Sequence, residues 1–138
     1  MTIEIKLEEA SNDIEHLMFK EFDKYHDKIL SEDIFENPLA YVAYHKGEFV
    51  GSVVFQYMAG NLYIKYLIVK EEFRELGLGK KLIEYTEEYA KKHFCSFIYL
   101  ETFSFQALEF YIKLGFNLEF TRDGFLNDSS LHYLRKFI

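Results

Sequence analysis

The stretch from Leu39 to Val69, LAYVAYHKGEFVGSVVFQYMAGNLYIKYLIV, constrains the fold more than any other part of the chain. β-Branched and aromatic residues dominate it, and it is interrupted only at His45-Lys46-Gly47-Glu48 and at Ala59-Gly60-Asn61. Such residues fit a pleated, half-buried backbone, and short glycine-containing interruptions are hairpin signals. Three antiparallel strands joined by two tight turns are therefore expected. The third, Leu62–Val69, ends in Leu67-Ile68-Val69, a run that predicts burial on both faces.

On either side of this meander the period changes. Ile3–Leu7 alternates apolar and polar residues and predicts a half-buried strand. Ile14, Leu17, Met18, Phe22, Tyr25 and Ile29 recur at helical spacing, with Ser11 as N-cap. Ser31–Pro38 reads as a loop or a short helical turn. Leu78, Leu82, Ile83, Thr86, Tyr89 and Ala90 form the inner stripe of a strong helix, with lysines and glutamates on its wet face. Cys95–Glu101 reads as a strand and Phe105–Leu114 as a short helix, with Ser104 as N-cap and Gly115 as C′ stop. Asn117–Thr121 and Leu131–Phe137 are final strands around a polar loop, Arg122–Ser130. The class is α+β, a mixed sheet with helices. With 138 residues, one proline, no internal repeat and no Gly/Ser-rich linker, residues 1–138 are expected to form one domain.

Charge and cysteine content narrow the chemistry. The chain carries 16 Lys+Arg against 23 Asp+Glu, a net −7. It lacks the basic footprint of a nucleic-acid binder, and anionic membranes would repel it. No nucleic-acid or membrane partner is expected. The single cysteine, Cys95, excludes an internal disulfide and a Cys-clustered metal site, and it reads as a small buried hydrophobe. His16, His26, His45, His93 and His132 are scattered without a helical i,i+4 pair, so no metal is expected. The apolar runs are short, and MTIEIKLEEA lacks the features of a signal peptide, which predicts a cytoplasmic protein. Aromatic residues reach 19% without a tryptophan. They fill a core or, less often, line a ligand cleft.

The segment Leu67–Leu82, LIVKEEFRELGLGKKL, is the most informative for chemistry. A strand runs into a loop and the loop into a helix. Gly77 and Gly79 let backbone approach a ligand closely. The first turn of the helix offers unpaired N–H groups and a positive dipole end, an anion site suited to phosphate. Arg74 and Lys80 add charge. A dinucleotide fingerprint fails because Leu82 stands where a third glycine is needed, and a P-loop fails at Arg74 and Lys81. From spacing alone, a tight strand–helix turn without a ligand remains an equal reading.

Arg74-x-x-Gly77-x-Gly79 after a strand resembles the pyrophosphate loop of the GNAT superfamily of N-acetyltransferases, which bind acetyl-CoA. Ser104 to Phe116, SFQALEFYIKLGF, is similar to that family's Asn-x-x-Ala-x-x-x-Tyr-x-Lys-x-Gly-Phe helix. Element order supports the resemblance from about Leu39 to Ile138. Two departures stand out: Glu71 where the family often has Pro, and Ser104 where Asn often contacts the cofactor. The strand Leu62–Val69 also lacks the carboxylate that serves some members as general base.

The resemblance implies a central, mostly antiparallel sheet of about seven strands with splayed middle strands, flanked by three or four helices. It implies acetyl-CoA as co-substrate, held along Leu67, Ile68 and Val69, on the loop Arg74, Glu75, Leu76, Gly77, Leu78, Gly79 and Lys80, and by Ser104, Ala107 and Tyr111. A side chain at Gly79 would then obstruct the pyrophosphate. Tyr111 is implied as general acid toward the CoA thiolate; its other reading is a packing residue of the short helix. An amine of pKa about 10 needs a base, and Glu101, at the end of a splayed strand, is the candidate. Its other reading is a carboxylate tying down the Thr102–Ser104 turn. The implied acceptor is a small cationic amine or a peptide or protein amine. Glu32, Asp33, Glu36, Asp123 and Asp128 lie in the segments expected around it. A homodimer is compatible with the resemblance. A non-catalytic module that binds or senses acyl-CoA is the alternative.

Overall fold

The computed structural model describes residues 1–26 and 36–138. It contains two compact units, Met1–Asp33 and Ile34–Ile138, which are taken in turn.

In the first, helix α1 spans Asn12–His26. The Ile14 N–H donates to Ser11 Oγ at 3.3 Å, the N-cap expected from the sequence. The expected continuation to Ile29 lies outside the described residues. Ile3–Leu7 is not a strand: these residues adopt no regular secondary structure, and Ile3, Ile5 and Leu7 are exposed. Alternation describes which face a strand would bury, but a strand also needs a partner for its N–H and C=O groups.

The second unit holds one six-stranded sheet. In chain order its strands are β1 (Leu39–His45), β2 (Glu48–Met58), β3 (Asn61–Val69), β4 (Phe97–Phe103), β5 (Asn117–Phe125) and β6 (Ser129–Phe137). The spatial order is β1-β2-β3-β4-β6-β5. Among the described residues the sheet has six strands rather than seven, because Ile3–Leu7 contributes none. Two-residue turns, Lys46-Gly47 and Ala59-Gly60, join the first three strands. All four of these residues have positive φ, the geometry that matches the twist of a hairpin.

A bulge sits in β3. Val54 pairs with Tyr66 and Phe55 with Ile64, so Lys65 is an extra residue. Leu62 and Ile64 are buried before it, and Leu67 and Val69 pack on the core after it. Without the extra residue Tyr66 and Ile68 would point inward. The run Leu67-Ile68-Val69 is therefore covered on one face, and Ile68 is exposed.

Helix α2 (Leu78–Lys92) buries Leu82, Ile83, Thr86 and Ala90 against Val53, Phe55, Leu62 and Ile64 of the sheet, with Leu78 and Tyr89 half-buried beside them. The Thr86 hydroxyl donates to the Leu82 carbonyl at 2.9 Å, so its polar group is satisfied inside the core. Cys95 is buried just ahead of β4.

Helix α3 is shorter than expected, Leu108–Lys113. Its N-cap is Ala107, not Ser104. Thr102 Oγ1 accepts from the Ala107 N–H at 3.4 Å, while Ser104 exchanges bonds of 2.8 and 3.0 Å with Ser130. Gly115, at φ +95°, stops the helix as expected. The expected loop Arg122–Ser130 is mostly strand, with a 3₁₀ turn at Leu126–Asp128. Polar composition marked it as loop, but an antiparallel edge pair tolerates polar residues on its wet face. No helix among the described residues is long and apolar enough to cross a membrane.

Candidate active site

β3 and β4 run parallel and diverge almost at once. Only Leu62–Ile98 and Tyr63–Tyr99 pair across them. Beyond Tyr63, β3 keeps its bonds to β2 and has none to β4. The orientation of the freed groups follows from alternation. The Lys70 N–H donates to Val50 O at 2.8 Å, on the β2 side. Ile68 therefore also faces β2, while the N–H and C=O groups of Leu67 and Val69 face the fork. Val69 O agrees: it accepts from Arg74 Nε at 2.9 Å.

The fork opens into a groove of about 680 Å³. Leu67, Ile68, Val69, Arg74, Glu75, Gly77, Leu78, Gly79, Lys80 and Ala107 line it, all of them expected cofactor residues. Phe73, Phe105, Gln106 and Phe110 line it as well and were not anticipated. Leu76 and Ser104 lie in neighbouring hollows, and Tyr111 is not part of the lining.

The groove ends at the N-terminus of α2. Gly77 is the N-cap at φ +79°, and Glu75 is also left-handed at φ +63°. The first bond of the helix is Lys81 N to Gly77 O at 3.0 Å, which leaves the N–H groups of Leu78, Gly79 and Lys80 without intrahelical partners. These donors and the helix dipole form an anion-binding end. The two glycines have different causes. Nothing lies within 4 Å of a Cβ at Gly77, so its requirement is conformational. A Cβ at Gly79 would lie 3.1 Å from Phe110 Cζ. Gly79 thus lets α3 pack against α2, and it also lines the groove.

Tyr111 is buried at 7% exposure, with its ring against Phe110 and Phe116. Burial pushes its phenol up to about 12. Among the described residues no group hydrogen-bonds its hydroxyl.

Glu101 stands on the face of β4 opposite Leu100 and Thr102, two residues past the last pair with β3. Its Oε2 accepts a hydrogen bond from the Tyr63 hydroxyl. Tyr63 and Tyr99 lie with ring centroids 5.0 Å apart. Burial first, and then the Glu101 carboxylate, raise the phenols of both tyrosines above their ordinary range. The expected link from Glu101 to the Thr102–Ser104 turn is absent; Gln106 Oε1 serves that turn, accepting from the Phe103 N–H at 2.8 Å.

The acidic residues expected around an acceptor are only partly among the described residues. Glu32 and Asp33 lie outside the described residues. Glu36 is tied through its backbone to the end of β2, accepting from Gln56 Nε2 at 2.9 Å. Asp123 accepts from Ser130 Oγ at 2.6 Å, and Asp128 lines the hollow beside Ser104.

Comparison with known proteins gives one consistent result. The family model described as "Acetyltransferase (GNAT) family" matches residues 3–116. A curated acetyltransferase of Agrobacterium fabrum (strain C58) is 36% identical over 66 residues, 48% of each chain. The match thus spans about half the length of that relative. The crystal structure of an acetyltransferase from Bacillus cereus ATCC 14579 is 26% identical and superposes with a TM-score of 0.81 over 97% of this chain and 98% of its own. A GNAT family acetyltransferase from Elizabethkingia anophelis, solved with acetyl-CoA bound, shares the fold at 22% identity, with a TM-score of 0.64 over 83% and 82% of the two chains.

Proposed function

Because the chain belongs to the acetyltransferase (GNAT) family, we propose that it moves an acetyl group from acetyl-CoA to a primary amine by direct attack. The observation that carries this is the β3–β4 fork, whose open backbone edge leads straight to the bare N–H groups of α2. Those N–H groups, on Leu78, Gly79 and Lys80, bind the pyrophosphate, with the Lys80 side chain adding charge. Leu67 and Val69 pair with the pantetheine amides as a strand would. Phe73, Phe105 and Phe110 supply apolar wall along the arm. An N–H at the fork polarises the thioester carbonyl, a contribution of roughly 3–4 kcal/mol in other acyl-transfer enzymes.

Glu101 takes a proton from the ammonium form of the acceptor, and Tyr111 delivers one to the departing thiolate. Its raised pKa keeps Tyr111 protonated at neutral pH. The acceptor is a small cationic amine or an amine on a peptide or protein. One observation favours a second reading, a module that binds acyl-CoA without turnover: Tyr111 is buried and absent from the groove lining. Release of free CoA thiol from acetyl-CoA with a panel of primary amines separates the two. Amine-dependent release supports the transferase. Tight binding without release for any amine supports the module.

A further inference from the structure

Glu101 is held from across the fork. Its partner, Tyr63, belongs to the last residue pair that joins β3 to β4. The carboxylate sits two residues further along β4, roughly 7 Å into the diverging region. Tyr63 Oη thus bridges the two strands where their backbone ladder has already ended. Its hydroxyl occupies Oε2 of the carboxylate and leaves Oε1 without a protein donor among the described residues. Tyr63 and Tyr99, with ring centroids 5.0 Å apart and planes tilted by 34°, form an aromatic wall beside the carboxylate, a surface that attracts an ammonium group.

We propose that Tyr63 is a positioning residue for the acceptor: its hydroxyl fixes the Glu101 carboxylate at the closed end of the fork, with Oε1 directed to an alkylammonium group. The proposal rests on the assignment of Glu101 as base. The proton balance is complete. The ammonium nitrogen gives one proton to Glu101 Oε1, and its lone pair forms the new C–N bond as the C–S bond breaks. Tyr111 protonates the thiolate and recovers the second nitrogen proton. Glu101 releases its proton to water. Tyr63 keeps its own proton throughout.

The test compares two acceptors in the full chain: n-butylamine, protonated at neutral pH, and p-toluidine, already neutral. Loss of a hydrogen bond to a charged group is expected to lower kcat/KM for n-butylamine roughly tenfold or more in Tyr63→Phe. The same variant should change p-toluidine less than about twofold and leave the KM of acetyl-CoA unaltered. A merely structural role would lower both acceptors alike, and that result overturns the proposal. Glu101→Gln keeps the two levels apart. If it leaves n-butylamine turnover intact, the base assignment falls. If it abolishes turnover while Tyr63→Phe does nothing, the role of Tyr63 alone falls. A substrate-free measurement accompanies these. In protein carrying ¹³C-labelled tyrosine, the Tyr63 signal, identified by its loss in Tyr63→Phe, should ionise at lower pH in Glu101→Gln. An unchanged titration would overturn the coupling.

Discussion

Gly51 on β2 offers a sharp test of how the groove is built. It pairs with Val69, the residue whose backbone opens onto the fork. A Cβ there would lie 2.9 Å from Ile68 O, 3.3 Å from Val69 Cα and 3.4 Å from Val69 Cγ2. The nearest neighbour is backbone, which cannot rotate away as a side-chain tip can. Gly51→Ala must therefore push β3 away from β2. Overpacking of this kind costs about 1–3 kcal/mol. Ala also removes unfolded-state freedom, which returns about 0.5–1 kcal/mol. The net is a destabilisation of up to about 2.5 kcal/mol, or up to about 10 °C in Tm for a chain of this size. Because the displaced backbone is that of Ile68 and Val69, acetyl-CoA should also bind more weakly. Urea unfolding and calorimetric titration on the same preparation measure both effects. A variant as stable as the parent, with unaltered affinity, would refute the claim that this contact sets the position of the groove strand.

Tyr111→Phe keeps the ring packing and removes the proton, so turnover should fall roughly 10²–10⁴-fold with acetyl-CoA affinity unchanged; normal turnover would return Tyr111 to the core. The same variant has a pH signature. Folding raises the Tyr111 pKa from 10.0 to about 12, so its stabilisation is complete below pH 10 and is lost as pH rises toward 12. Between those values the urea midpoint should fall more steeply in the parent than in Tyr111→Phe. Gly77→Ala, at φ +79° with open space around it, should cost about 1–2 kcal/mol in urea unfolding from backbone strain alone. Gly77→Asn should cost less, because Asn tolerates left-handed backbone.

What the sequence disclosed was local. The β1–β3 meander was legible because Lys46-Gly47 and Ala59-Gly60 are turn signals flanked by β-forming runs. The stripe of α2 and the stop at Gly115 were legible for the same reason: periodicity and glycine act within a few residues. The loop residues 74–80 were placed by their glycine spacing and by family likeness together. What failed depended on distant partners. Ile3–Leu7 had the alternation of a strand, but alternation cannot supply a neighbour. Ser104 had the chemistry of an N-cap, yet Ser130, 26 residues away, takes its hydrogen bonds. The Lys65 bulge was hidden because one extra residue changes facing without changing composition. Tyr63 was hidden because its partner, Glu101, lies 38 residues ahead on a parallel strand, and parallel register is written nowhere in the local pattern.

The central claim, that the β3–β4 fork and the start of α2 together hold acetyl-CoA, is tested most directly by amide hydrogen exchange with and without the compound. Leu67 and Val69 at the fork edge and Leu78, Gly79 and Lys80 at the helix start should slow their exchange when acetyl-CoA is added. The β1–β2 turn at Lys46-Gly47 should not change. Protection confined to other segments, or none at saturating acetyl-CoA, would contradict the account.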